Sequence, residues 1–200
     1  MARYTGPKRR LSRREGLPLF AKDIKSLEKK GALPPGQHGA RMRRRTSEYG
    51  LQLREKQKAK RFYGILERQF KKYVDQASKV KGATGLTLLT TLETRLDNVV
   101  YRLGFSKSRA GARQMVSHGH INVMDKKVTM PSYNVKIGET IAISSKLSDN
   151  TQVKKSLEEI GTLPEWLDRK ATIGKVLRIP NRDEMEQAID EQLIVEFYSR

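Results

Sequence analysis

Little in this sequence can do covalent chemistry. It has no cysteine and three histidines, His38, His118 and His120. Without cysteine there are no disulfide staples, no thiol catalysis and no cysteine-ligated zinc. His118 and His120 flank Gly119 with no cysteine beside them, so hydrogen bonding to a ligand or to a strand carbonyl is their plainer role. The sequence contains neither a Gly-x-x-x-x-Gly-Lys-Ser/Thr phosphate loop nor a Gly-x-Ser-x-Gly nucleophile turn. Gly36-Gln37-His38-Gly39 and Gly82-Ala83-Thr84-Gly85 imitate a Gly-x-x-Gly RNA loop but read as turns. The acidic residues Asp183, Glu184, Glu186, Asp190 and Glu191 lack the companion histidine of a two-metal nuclease. They read either as a solvated face or as a contact for a basic protein.

What the chain has in excess is positive charge. Its 200 residues hold 41 Lys and Arg against 22 Asp and Glu, a net charge of +19 with a pI near 10.2. Such an imbalance repels itself in the compact state and calls for a polyanion, nucleic acid before membrane. Residues 1–82 carry +17 of it, residues 83–150 carry +4, and residues 151–200 carry −2. Mean hydropathy is −0.67, and no apolar run reaches the roughly 18 residues of a spanning helix.

The elements that must position these cations follow from periodicity and punctuation. Residues 1–46 hold the basic residues Arg3, Lys8, Arg9, Arg10, Arg13, Arg14, Arg43, Arg44 and Arg45, broken by Gly6-Pro7 and Pro34-Pro35-Gly36. So few apolar residues argue for a segment that orders on a partner, or else a flexible solvated tail. Residues 47–91 read as a helical domain and linker. Ser47 can cap its first helix, Gly64 breaks the run into two, and Phe62, Leu66, Phe70, Tyr73 and Ala77 share one face. Arg54, Lys56, Lys58, Lys60 and Arg61 load the first helix with charge that opposing phosphates would relieve.

Residues 92–157 read as a compact module. Thr90 and Glu93 form a capping box for a helix carrying Leu92, Leu96, Val99, Val100 and Leu103, which Gly104 ends. A second helix over Lys107–Ser117, capped by Ser106, ends at Gly119. Arg109 and Arg113 stand one turn apart on its rim. Strands are predicted at Ile121–Met124, Asn134–Ile137 and Thr140–Ile143, with a turn at Asp125-Lys126-Lys127. Residues 158–200 complete the body: Trp166 and Leu167 anchor it, and Lys175–Pro180 and Leu193–Tyr198 read as strands. A short helix is expected at Val153, Leu157 and Ile160. The fold class is α+β: a basic extension, a helical domain, then two short helices packed on a short-stranded β-element.

The run Arg95-Leu96-Asp97, Tyr101-Arg102-Leu103-Gly104, Ser108-Arg109, Ala112-Arg113-Gln114 and His118-Gly119-His120-Ile121-Asn122-Val123 resembles the RNA-binding module named after small-subunit ribosomal protein four. The flanks narrow the likeness. Arg3-Tyr4-Thr5-Gly6-Pro7, Pro34-Pro35-Gly36-Gln37-His38-Gly39, Leu53-Arg54-Glu55-Lys56-Gln57-Lys58 and the ending Leu193 to Arg200 resemble the bacterial form of that ribosomal protein family. Some members bind zinc through four cysteines. Here Arg9 and Ser12 stand where the first pair is expected, and Met124-Asp125 replaces the family's frequent Asn-Gly turn.

The resemblance implies a structural, non-enzymatic RNA binder. It would bind small-subunit ribosomal RNA at a junction of the five-prime domain and nucleate the body of the subunit. With small-subunit proteins five and twelve it would influence translational accuracy, the acidic C-terminal residues meeting protein five; in some bacteria the protein represses its own messenger RNA. It would work in the cytoplasm within the small subunit. No cofactor, membrane, small-molecule substrate or obligate homo-oligomer is expected. The resemblance adds His38, Arg95, Arg102, Lys107, Ser108, Gln114, His118 and His120 to the expected RNA contacts. The rivals are an RNA-modifying enzyme carrying the same module and a free regulatory RNA or DNA binder, both of which would sediment apart from ribosomal subunits.

Overall fold

The computed structural model describes residues 4–31, 33–39, 46–148, 151–158 and 163–199. Arg3, Arg43, Arg44, Arg45 and Ile160 lie outside them. The described elements are α1 (Lys8–Glu15), α2 (Ile24–Lys30), α3 (Glu48–Phe62), α4 (Glu67–Ala77), α5 (Thr84–Glu93), α6 (Leu96–Arg102), α7 (Arg109–Ser117), β1 (Ile121–Val123), β2 (Lys126–Lys127), β3 (Thr140–Ile143), α8 (Ser145–Ser148), α9 (Thr151–Glu158), β4 (Leu167–Lys170), β5 (Ile173–Val176) and α10 (Glu191–Tyr198). Helices and a small antiparallel sheet make this an α+β fold. No helix among the described residues is long and apolar enough to cross a membrane.

Three helices stop by one device. Gly64, Gly104 and Gly119 adopt the left-handed conformation, with φ of 67°, 81° and 71°. The following residue then donates its N–H five residues back: Ile65 to Lys60, Phe105 to Val100 and His120 to Met115. This is the Schellman closure, and glycine adopts the turning position without steric penalty. Ser47 and Ser108 cap the starts of α3 and α7 through Oγ, accepting from the N–H of Gly50 and Gly111. Ser108, not Ser106, is therefore the cap of α7; the Ser106 hydroxyl donates to the Ser108 carbonyl.

The chain forms two compact units, residues 1–88 with 188–200 and residues 89–187, and α5 runs through the division. In the first unit Ala59, Tyr63, Ile65, Phe70, Tyr73, Val74, Ala77, Leu88, Ile189 and Ile194 are buried. Leu66 departs from the expected apolar face: it is the exposed N-cap of α4. The described part of the basic N-terminal segment contains α1 and α2. There the Ser12 hydroxyl donates to the buried Asp23 carboxylate, and Leu19 is also buried.

In the second unit α6 and α7 lie against a five-stranded antiparallel sheet of order β2-β1-β3-β5-β4. Strand alternation puts Ile121, Val123, Ile141, Ile143, Leu167 and Val176 into one core with Leu96, Val99, Val100, Leu103, Ala112, Val116 and Trp166. The first hairpin turns at Met124-Asp125, both with positive φ (47° and 61°). That is a two-residue loop of the I′ kind, built without the usual Asn-Gly. Lys126 and Lys127, expected in the turn, form the return strand β2.

Three further expectations fail. Thr90 is mid-helix, because α5 starts at Thr84 and absorbs the end of the expected linker. The helix breaks at Thr94-Arg95, where the first N–H groups of α6 are taken by the carbonyls of Tyr133 and Pro131. Asn134–Ile137 makes no strand; Asn134 forms only a bridge to Arg95. Leu193–Tyr198 lies in α10, because the Asp190 carboxylate accepts from the N–H groups of Gln192 and Leu193 and so caps a helix. Tertiary packing of Ile194 then outweighs the run's strand propensity.

Gly174 of β5 has no side chain because Leu103 fills the space: a Cβ there would collide with the Leu103 methyl groups. Gly174→Ala is expected to cost about 1–3 kcal/mol by overpacking. Denaturant unfolding of the whole chain measures it, and a change within a few tenths of a kcal/mol would contradict this packing.

Candidate nucleic-acid interface

Among the described residues, most cations that the sequence nominates are taken up by partners within the fold. On α3, Arg54 and Arg61 both pair with Glu15, the last residue of α1, whose side chain is fully buried. Burial pushes the Glu15 carboxyl above its ordinary range, against the pull of Arg61 and Arg54. Lys56 and Lys60 reach Glu67 at 2.7 and 2.9 Å, and Lys58 pairs with Glu55. The Lys56 ammonium also lies 4.6 Å over the Phe197 ring. Tyr198 donates to the same Glu67 carboxylate at 2.9 Å. Desolvation raises the Glu67 pKa, but the hydrogen bonds from Lys56, Lys60 and Tyr198 outweigh it and hold it at about 2. Burial and the Glu67 bond push the Tyr198 phenol up.

The same happens across α6 and α7. Arg95, expected at the surface, has no exposed side chain and forks onto Asp97 at 3.0 and 2.6 Å. Arg113 meets the same carboxylate at 3.1 Å. Arg102 forks onto buried Glu93 at 3.2 and 2.8 Å. Asn98 donates to Glu93 and accepts from Arg109 at 2.8 Å, while the Arg109 guanidinium stacks 4.4 Å over Tyr101. These arginines join the two helices through two carboxylates. Arg95 is thus corrected from a surface contact to a core ion pair.

What remains outward is a shorter set. Lys8, Arg9, Arg10 and Arg14 are exposed on α1. Lys8 lies 5.3 Å over the Phe20 ring, and Arg9 is 3.9 Å from Asp23. Arg13 instead pins the next loop, donating to the carbonyls of Leu33 and Pro34. His38 is exposed in the turn that follows.

In the second unit Lys107, Ser108, Gln114 and His118 are exposed along α7, which contains no acidic residue. Lys127 lies against Gly119 so closely that a Cβ there would strike its stem. Its ammonium therefore stands at the His118-Gly119-His120 turn. Sequence reasoning missed Lys126 and Lys127. The signal for them was the two-residue loop, which puts both on the return strand and leaves both exposed.

The acidic C-terminal residues are not five equivalent carboxylates. Glu184 is forked by Arg178 at 2.6 and 2.9 Å and accepts from the Asn181 N–H. These bonds outweigh desolvation and lower its pKa. Asp190 caps α10, Glu191 is half-buried against Gly85, and Glu186 is half-buried. Asp183 stays exposed. Nor do the residues fit a metal: with no cysteine in the chain, the described residues hold no group of three metal-binding side chains.

An α+β chain whose outward cations gather around the acid-free helix α7 has the surface of a nucleic-acid-binding protein. The comparisons give the family. Residues 3–93 match the ribosomal protein S4/S9 N-terminal domain, and residues 94–141 match the S4 domain. The chain is 54% identical to small ribosomal subunit protein uS4A of Symbiobacterium thermophilum and 54% identical to uS4 of Dictyoglomus turgidum. It is 51% identical to uS4 of Akkermansia muciniphila, and in all three cases 100% of both chains is covered. The chain belongs to the small ribosomal subunit protein uS4 family.

Two outcomes test this charge network. Asp97→Ala strips a buried arginine of its carboxylate and is expected to cost about 3–5 kcal/mol in denaturant unfolding; a loss below about 1 kcal/mol would contradict the assignment. A depressed carboxylate stabilises the fold above its unfolded pKa, and that contribution is lost as pH falls through its folded value. The stability difference between the native chain and Glu67→Gln should therefore shrink between pH 4.5 and about 2. The change should be about 1 kcal/mol or less, since Glu67 is 47% exposed. A difference independent of pH would contradict it.

Proposed function

We propose that this protein binds small-subunit ribosomal RNA directly, at a folded junction of the five-prime domain, and so nucleates the body of the subunit. The observation that carries the reading is the acid-free face of α7 with Lys127 laid across the His118-Gly119-His120 turn. A-form RNA hides its bases in a deep, narrow major groove, so a protein of this kind meets phosphates and 2′-hydroxyls and reads shape. Lysines bind phosphate as point charges, and the imidazoles and Gln114 add hydrogen bonds. The names of the relatives support the ribosomal setting, and the S4 domain match covers α6, α7, β1, β2 and half of β3.

Three finer readings rest on the family resemblance alone: contact with small-subunit protein five through Asp183 and its neighbours, an influence on accuracy shared with proteins five and twelve, and repression of its own messenger.

The test is a filter-binding titration against small-subunit ribosomal RNA over a range of salt. The native chain should bind with a steep negative salt slope, and Lys126→Gln/Lys127→Gln should flatten it by about one to two units. No binding by the native chain at physiological salt would overturn the reading.

A further inference from the structure

We propose that the outward face of α4, continued by Lys79 and Lys81, is a second phosphate-binding surface that seats the backbone of a double-helical RNA segment. It deepens the RNA-binding reading above and rests on it.

The face follows from helical spacing. Phe70, Tyr73, Val74 and Ala77 are buried, so Arg68, Lys71, Lys72 and Asp75 stand on the opposite side, all exposed. Lys79 and Lys81 are exposed just beyond the helix end. Five cations thus share this stretch with one acid. Among the described residues none of the five lies within ion-pair distance of a carboxylate.

The neighbouring helix is the contrast. The cations Arg54, Lys56, Lys58, Lys60 and Arg61 of α3 are all taken by Glu15, Glu55 and Glu67. The cations of two consecutive helices are therefore wired oppositely, those of α3 onto carboxylates and those of α4 toward solvent. Like charges on one helical face repel, as Arg68 and Lys72 do at i, i+4, and a row of phosphates relieves that repulsion.

The chemistry of the face selects duplex over single strand. Single-stranded RNA is held by exposed aromatic rings on which bases stack. The two rings of α4, Phe70 and Tyr73, both turn inward. A face of lysines and one arginine without rings suits the regular phosphates of an A-form helix.

The experiment compares the native chain with Arg68→Gln/Lys71→Gln/Lys72→Gln on small-subunit ribosomal RNA across a salt series. The Lys126→Gln/Lys127→Gln variant runs as a reference. Because the three side chains are exposed, the thermal midpoint of the variant should match the native value. Its affinity at physiological salt should fall about tenfold or more, and its salt slope should lessen by about two to three units. A short RNA duplex should compete for the native chain better than a single strand of the same length.

Native affinity and slope in the triple variant, while the native chain binds and the reference variant is weakened, would overturn this surface alone and leave the face to solvent or an acidic protein. Stronger competition by the single strand would overturn the choice of duplex. Failure of the native chain itself to bind would remove both readings.

Discussion

Four carboxylates decide how the positive charge of this chain is divided. Glu15, Glu67, Glu93 and Asp97 each hold two cationic side chains; for Glu93 the second, Arg109, arrives through Asn98. A chain of net charge +19 would otherwise repel itself on compaction. Pairing inside the fold turns part of that charge into structure. Buried guanidinium–carboxylate forks fix geometry more than they add stability, because desolvation offsets much of their attraction. What they do here is orient helix against helix: α1 on α3 through Glu15, α10 on α3 and α4 through Glu67, α6 on α7 through Asp97 and Glu93.

The cations left over stand on faces where carboxylates are few. Those faces are α1, the outer side of α4, and α7 with the β1–β2 hairpin. Each lies on a helix or hairpin of the fold, and α7 has a defined stop at Gly119. A shape reader needs that, since phosphate contacts position a protein on RNA only if the cations keep their spacing. The N-terminal segment follows the same logic without a metal. Where the resemblance led one to look for a cysteine pair, Ser12 donates to buried Asp23 and Arg9 approaches the same carboxylate.

Local signals made much of this legible in the sequence. Ser47, Gly64, Gly104 and Gly119 mark helix ends through caps and left-handed turns that depend on neighbours in the chain alone. Trp166 was recognisable as a core anchor. The errors share a cause, which is that the deciding partner is far away in sequence. Leu193–Tyr198 looks like a strand until Asp190 is seen to cap it and α3 to cover it. Arg95 looks like a surface cation until the core closes over its fork with Asp97. A count of arginines says how much charge there is; only the fold says which ones are already partnered.

The most direct measurement is lysine-reactivity footprinting of the native chain with and without small-subunit ribosomal RNA, read by mass spectrometry. Lys56 and Lys60 should be slow to react in both states, held by Glu67. Lys71, Lys72, Lys126 and Lys127 should react readily in the free protein and become protected on the RNA. Protection that fell instead on Lys56 and Lys60, with the outward lysines unchanged, would contradict the division of charge on which the account stands.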